Sequence, residues 1–403
     1  MHPLLVPVYR SAAALATAAA RVVAPGDGKV QRAFAARRDA VHHLVDWARV
    51  HRDRRRALLW MHAPSVGEGL QARPVLERLR RTRPDFDTVG AADTVLAAVS
   101  PTALVFAKLD VWPQLVERAA AQGVRTGLIS ATLPTGSARS GWVARALLRD
   151  AYAALDLVGA IDADDAARLL ALGVRADRMS VTGDTRYDQV ATRAAQADRR
   201  STLLASVETS RPTVIAGSTW PSDEMVLFAA WQSLRTAVPT ARLIIAAHEP
   251  TEAHLAPIEQ WARGAGLSCA RLEAVLRRAT SPDVDVLVVD RVGVLGDLYA
   301  LADVAFVGGG FHAAGLHSVL EPAAFGVPVL FGPGGDRVRD ARALSVAGGG
   351  RLVHDAESLA SVLGHWLTVA SARAAAGHAA RAVVEEGVGA AERSTALVEQ
   401  LLR

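Results

Sequence analysis

Cysteine is nearly missing from these 403 residues: Cys269 stands alone. With one thiol, no disulfide can close within the chain and no cysteine-based zinc site can be built, so a reducing cytoplasmic compartment fits. There is no Lys/Arg-rich run with interleaved aromatics, which argues against nucleic acid as a partner. A clean apolar span is also lacking. Leu4 to Val23 is apolar and Ala-rich but carries Pro7, Arg10 and Arg21, and an arginine at a bilayer centre costs roughly 2.5–3.5 kcal/mol on insertion scales. No small-residue cleavage site follows a compact apolar core, so a secretory signal is not read. Residues 1–30 are expected to form an amphipathic helix that lies on a membrane surface, beside the basic stretch Arg32, Arg37, Arg38 and Arg52 to Arg56. An ordinary helix packed on the first domain is the equal alternative.

The net charge of +4 conceals an asymmetry: residues 1–90 carry fifteen Arg and Lys29 against eight acids, a balance of +8. A basic N-terminal face suits anionic lipid or an acidic substrate. The composition, 51% hydrophobic and 21% charged, is that of a soluble globular protein rather than a disordered one. A chain of this length suits two domains of about 200 residues each.

Short Val/Ile/Leu-rich runs alternate with helix-patterned stretches. Ala57–Ala63, Ala103–Ala107, Thr126–Ala131, Leu157–Asp162 and Met179–Gly183 are predicted strands of the first half. Thr213–Ser218, Leu243–His248, Val284–Asp290, Val304–Gly309 and Val327–Gly332 are those of the second. Non-alternating apolar runs are what parallel sheets covered on both faces require. The fold class expected is α/β, with two doubly wound Rossmann-like domains facing a cleft, over residues 31–200 and 210–385, and a C-terminal helix over 386–403. The stretch from Ala356 reads as helical, with breaks at Gly377 and Gly387.

In such sheets ligands gather at the C-terminal strand edges, so the loops there are the candidate sites. After the first strand comes His62-Ala63-Pro64-Ser65-Val66-Gly67-Glu68-Gly69. A carboxylate held there can take a proton from a hydroxyl, although Ser65-x-x-Glu68 also has the spacing of a capping box. Ala216-Gly217-Ser218-Thr219 offers hydroxyls and amides near a helix start, a phosphate-binding pattern. His248-Glu249-Pro250 places a histidine at a strand end, where a structural hydrogen bond competes with a ligand contact. Gly308-Gly309-Gly310-Phe311-His312, Gly315-Leu316-His317-Ser318 and Leu320-Glu321-Pro322 form the densest group. Glycines there let a ligand approach the main chain, and Glu321 at a helix start can accept from a ribose diol or complement the helix dipole.

Taken in order, these segments resemble the 3-deoxy-D-manno-octulosonic acid (Kdo) transferases. His62 to Gly69 is similar to that family's H-A-x-S-V-G-E segment, Val111-Trp112-Pro113 to its I-W-P, and Thr182-Gly183-Asp184-Thr185-Arg186-Tyr187-Asp188 to its T-G-[ND]-x-[KR]-[FY]-D. Gly217-Ser218-Thr219, Asp303 to Gly309, Leu320-Glu321-Pro322-Ala323 and Phe331-Gly332-Pro333 continue the pattern. The resemblance implies a GT-B architecture and a glycosyltransferase that moves Kdo, with inversion, from CMP-Kdo to an anionic lipid A precursor, lipid IVA. It places the reaction at the cytoplasmic face of the bacterial inner membrane, with no metal and no cofactor beyond the donor substrate. Carried over by position, Glu68 is the general base. Ser218, Thr219, His248, Gly308, Gly309, Gly310, Ser318 and Glu321 are donor contacts, and Ser65, Gly67, Asp110 and Arg186 lie on the acceptor side. The chain departs from the family at Lys108-Leu109-Asp110, where an acid is usual two residues before the second acid. It departs again at Ala246-Ala247-His248-Glu249, which lacks the usual arginine, and at His317-Ser318, where the family has His-Asn. A GT-B enzyme using a UDP-sugar, or a non-catalytic relative, is the alternative reading.

Overall fold

A computed structural model describes residues 44–63, 66–82, 87–89, 96, 98–278 and 280–403. Ser65 and the N-terminal helix expected over 1–30 lie outside the described residues. The chain divides into two units, Met1–Gln189 with Gly389–Arg403, and Val190–Val388.

The sheet of unit 1 runs β2-β1-β3-β4-β5-β6, all neighbours parallel. Its strands are β1 (Leu58–His62), β2 (Asp87–Val89), β3 (Ala103–Ala107), β4 (Arg125–Ala131), β5 (Leu157–Ala160) and β6 (Met179–Val181). Successive side chains point to opposite faces of a strand. Trp60, Leu104, Phe106 and Leu128 therefore fill one core layer with Tyr152 and Val116. Leu59, Met61, Val105 and Ile129 fill the other, against Val75 and Leu79 of the Val66–Thr82 helix and Leu397, Val398 and Leu401 of the Ala390–Leu401 helix. Two buried faces explain why the strands read as unbroken apolar runs.

Unit 2 carries a parallel seven-stranded sheet in the order β13-β12-β11-β7-β8-β10-β9. Its strands are β7 (Thr213–Thr219), β8 (Arg242–Ala247), β9 (Cys269–Arg271), β10 (Val286–Val288), β11 (Val304–Val307), β12 (Val329–Phe331) and β13 (Gly350–Leu352). All ten predicted strands are present. The three not predicted, β2, β9 and β13, lie at the edges of their sheets and each includes a charged residue, Asp87, Arg271 and Arg351, which breaks the apolar run.

The helix expected over 386–403 is found at Ala390–Leu401 and belongs to the core of unit 1. One expectation is corrected. Gly377 does not break a helix; it lies inside Ala370–Gly387, and the interruption falls at Val369. A Cβ on Gly377 would stand 2.2 Å from the Gly326 carbonyl oxygen, so this glycine admits another segment against the helix.

Candidate active site

Strand order reverses between β1 and β3 in unit 1 and between β7 and β11 in unit 2, and such switch points open a crevice at the carboxyl ends of the strands. The predicted site residues that the structure describes follow strands of these two sheets.

In unit 1, β1 leads through His62 to the Val66–Thr82 helix, whose first turn holds Gly67 and Glu68. Glu68 is 6% exposed. The loop after β3 comes alongside: the His62 ring meets Trp112 edge-on at 6.2 Å and Phe106 at 5.5 Å. That loop is fixed by the Tyr152 hydroxyl, which donates to the Leu109 carbonyl at 2.8 Å, and by the Lys108 amide, which donates to Ile129. Burial pushes the Tyr152 phenol up to about 12, so it stays a donor. Asp110 is paired with Arg139, from the loop after β4. Arg186 is paired with Asp184 at 2.7 Å.

The segment Thr182–Asp188 serves largely to assemble unit 1. The Thr185 hydroxyl donates to the Gln71 carbonyl at 2.6 Å and lies 2.8 Å from the Ser130 hydroxyl. The Asp188 carboxylate accepts from the amides of Gly389 and Ala391 at 2.9 and 3.0 Å, and Arg393 donates to the Thr182 carbonyl at 2.8 Å. Asp188 thus holds the start of the C-terminal helix, where a negative charge complements the helix dipole.

In unit 2, the end of β7 bulges between Gly217 and Thr219. Ser218 there takes φ +56°, a backbone that a residue with a Cβ rarely adopts. The three glycines after β11 face main chain of the protein itself. A Cβ on Gly308 would stand 2.3 Å from the Ser218 oxygen, one on Gly309 2.1 Å from the Gly315 oxygen, and one on Gly310 2.4 Å from the Gly332 nitrogen. Glycine is required at these positions by backbone packing before any ligand is considered. Two amides of the loop are engaged as well: Gly309 and Phe311 donate to Asp223 at 2.7 and 2.9 Å. Thr219, expected at the donor, is 2% exposed and donates its hydroxyl to Glu224 at 2.9 Å. Burial raises the Glu224 carboxyl, an effect the Thr219 hydroxyl opposes.

Above this frame stand rings that the sequence reading did not gather. Trp220 is stacked between His248 at 4.5 Å and His312 at 4.1 Å, with His317 at 4.6 Å from His248. The Trp220 indole donates to His317 Nε2 at 3.3 Å. An indole nitrogen only donates, so His317 carries its proton on Nδ1. Burial, aided by His248 and opposed by Asp223, lowers the His317 pKa and favours this neutral ring. Ser318 is exposed and Glu321 half-buried. Burial raises the Glu321 carboxyl; Arg193 opposes the shift and Asp297 adds to it. Arg193 also donates to Asp297 at 2.9 Å. Trp220 and Asp223 were missed because their partners come from distant strands; His312 was among the candidates, but its stacking on Trp220 was not. The only local signal was the start of the Pro221–Ala237 helix, with Asp223 in its first turn. Among the described residues no group of three or more His, Cys, Asp or Glu is arranged to hold a metal ion.

Comparison with known proteins matches residues 42–87 and 84–189 to the family model described as 3-Deoxy-D-manno-octulosonic-acid transferase (kdotransferase). The chain is 31% identical over 384 residues to the 3-deoxy-D-manno-octulosonic acid transferase of Bordetella pertussis, covering 86% of this chain and 88% of that one. It is 28% identical over 310 residues to the enzyme of the same name from Chlamydophila psittaci, covering 68% and 69%. In fold it is similar to UDP-GlcNAc 2-epimerase from Neisseria meningitidis, with a TM-score of 0.58 at 14% identity over 86% of this chain and 99% of that one.

Proposed function

Because the chain belongs to the 3-deoxy-D-manno-octulosonic acid transferase family and has the two Rossmann-like units of the GT-B fold, we propose that it transfers Kdo from CMP-Kdo to lipid IVA, with inversion, at the cytoplasmic face of the inner membrane. The observation that carries this reading is the 31% identity over 86% of the chain, supported by Glu68 in the first turn of the helix after β1.

In this mechanism the Glu68 carboxylate removes the proton of an acceptor hydroxyl as its oxygen attacks the anomeric carbon of Kdo. The bond from that carbon to the phosphate oxygen breaks, and CMP departs as a phosphate monoester anion. The leaving group is already stabilised, so a direct displacement needs no metal. On unit 2, Ser218, His248, Ser318 and Glu321 are the donor contacts. Two ribose hydroxyls donating to Glu321 would stabilise the ionised form that burial disfavours. The backbone of Gly308–Gly310 shapes this site, and Thr219 supports it from beneath.

Purified protein supplied with CMP-Kdo and detergent-dispersed lipid IVA is expected to release CMP and yield a Kdo-bearing lipid by mass spectrometry, at a rate unchanged by a chelator. Glu68→Gln is expected to slow turnover by roughly 100- to 10,000-fold while the melting temperature stays near that of the wild type. Folded wild-type protein that is stabilised by UDP and not by CMP, and gives no Kdo transfer, would overturn the proposal.

A further inference from the structure

Arg193 stands in the last turn of the Thr185–Gln196 helix, in the part of that helix that belongs to unit 2. A cation there complements the helix dipole, but the side chain is held more closely than that part needs. A Cβ on Gly296 would stand 2.5 Å from Arg193 Cζ and 2.7 Å from both Nε and Nη1, so the guanidinium plane rests face-on over that glycine. Nε donates to Asp297 at 2.9 Å and Nη2 to the Gly293 carbonyl at 3.2 Å. Nη1 has no acceptor among the described residues. The segment that grips Arg193 also reaches the carboxyl end of β7. A Cβ on Gly217 would stand 2.1 Å from the Tyr299 hydroxyl and 3.0 Å from Leu295 Cδ2, next to Ser218.

The Leu320–Ala324 helix packs on Tyr299–Leu301, which brings Glu321 to the same cluster. Burial raises the Glu321 carboxyl; of the two charges that act on it, Arg193 opposes the rise more strongly than Asp297 adds to it. Burial also raises the Tyr299 phenol, which therefore stays neutral. Arg381, on the Ala370–Gly387 helix that packs on the other side, is engaged by the Phe325 carbonyl at 2.9 Å. Arg193 is thus the cation that faces Glu321. The protonation of that acid matters for a diol. A carboxylate accepts from two hydroxyls at once, whereas a neutral carboxyl is itself a donor and leaves one hydroxyl poorly matched. We propose that Arg193 is a positioning residue for the donor nucleotide: its guanidinium, braced on Gly296 and Asp297, is the counter-charge that lets Glu321 accept from both ribose hydroxyls. The inference rests on the donor reading above and deepens it, and it is tested by binding without turnover.

The full chain is titrated calorimetrically with CMP, with UMP and with 2′,3′-dideoxycytidine monophosphate, which has no diol. Arg193→Gln is expected to weaken CMP by about tenfold and to leave the dideoxy nucleotide unchanged, which also shows that the variant is folded. Arg193→Lys keeps the charge and is expected to bind CMP nearly as the wild type. Asp297→Asn removes the opposing acid and is expected to bind CMP at least as tightly as the wild type. If the Arg193–Asp297 pair served only to fasten two segments, these two losses would act alike. In the Glu321→Gln background, Arg193→Gln is expected to cause no further loss, because its effect passes through Glu321. Equal weakening of CMP and the dideoxy nucleotide by Arg193→Gln, or a loss that persists without Glu321, overturns the inference. A wild type that prefers UMP to CMP overturns the CMP-Kdo reading alone, and the same variants then decide the part of Arg193 on UMP. A wild type that binds neither ribonucleotide overturns both.

Discussion

Glu68 and Asp223 occupy the same place in the two units: each is the third residue of the helix that follows the first strand. From spacing alone the two are equivalent, an acid in a first helical turn that can cap amides or hold a proton. The structure assigns Asp223 a structural part. It is wholly buried and accepts from its own Trp220 amide at 3.0 Å and from Gly309 and Phe311. The loop it fixes comes from β11, 86 and 88 residues further along the chain. What a helix-start carboxylate does is therefore decided by the neighbouring strand that the sheet order brings beside it.

The units differ also in how they are completed. Unit 2 is one continuous segment, whereas unit 1 needs Gly389–Arg403 to finish its core. Leu397, Val398, Leu401 and Leu402 are buried there. At about 1.5–3 kcal/mol for each fully buried side chain, their loss rivals the 5–15 kcal/mol that holds a typical domain together. Deleting Gly389–Arg403 is accordingly expected to unfold unit 1 while Val190–Val388 keeps its protection, as read by hydrogen exchange. Protection of β3 and β4 that survives the deletion would remove this contrast.

A smaller effect sharpens the comparison of the two acids. Asp223→Ala leaves three amides without their acceptor and is expected to cost on the order of 3–5 kcal/mol by denaturant unfolding. Asp223→Asn, which keeps a carbonyl oxygen, is expected to fall between it and the wild type. If Asp223→Ala were as stable as Glu68→Gln, the two acids would not differ in the way described.

The smallest effect is one of pH. The folded His317 pKa lies below its ordinary value because of burial and the nearby His248. A His shifted downward contributes stability that is present above the unfolded pKa of about 6.5 and is lost as pH falls through the folded value. Melting followed from pH 8 to pH 5 is expected to show a steeper decline in the wild type than in His317→Gln. Parallel curves would show that the ring stack does not depend on neutral His317.

The parallel α/β class and the central strands were legible in the sequence, because burial on both faces demands unbroken apolar runs such as Ala103–Ala107 and the Leu243 to Ala247 part of β8. The strand-end loops were legible for the same reason. Glycines, histidines and acids stood out against apolar neighbours, and the order of motifs pointed to the family. The division of labour inside those loops was not. Thr219 and the glycines looked like ligand contacts, but Thr219 is engaged by Glu224, and the glycines pack against Ser218, Gly315 and Gly332. Arg186, expected on the acceptor side, is paired with Asp184.

The amino-acid order determined which segments become strands, since burial and periodicity are properties of a dozen neighbouring residues. Only the tertiary structure decided that Trp220 stacks between His248 and His312 and that Asp188 holds a helix beginning two hundred residues later. Those contacts join segments that are remote in the chain. They exist because parallel strands, each returning through a helix, bring their carboxyl ends to one edge of the sheet.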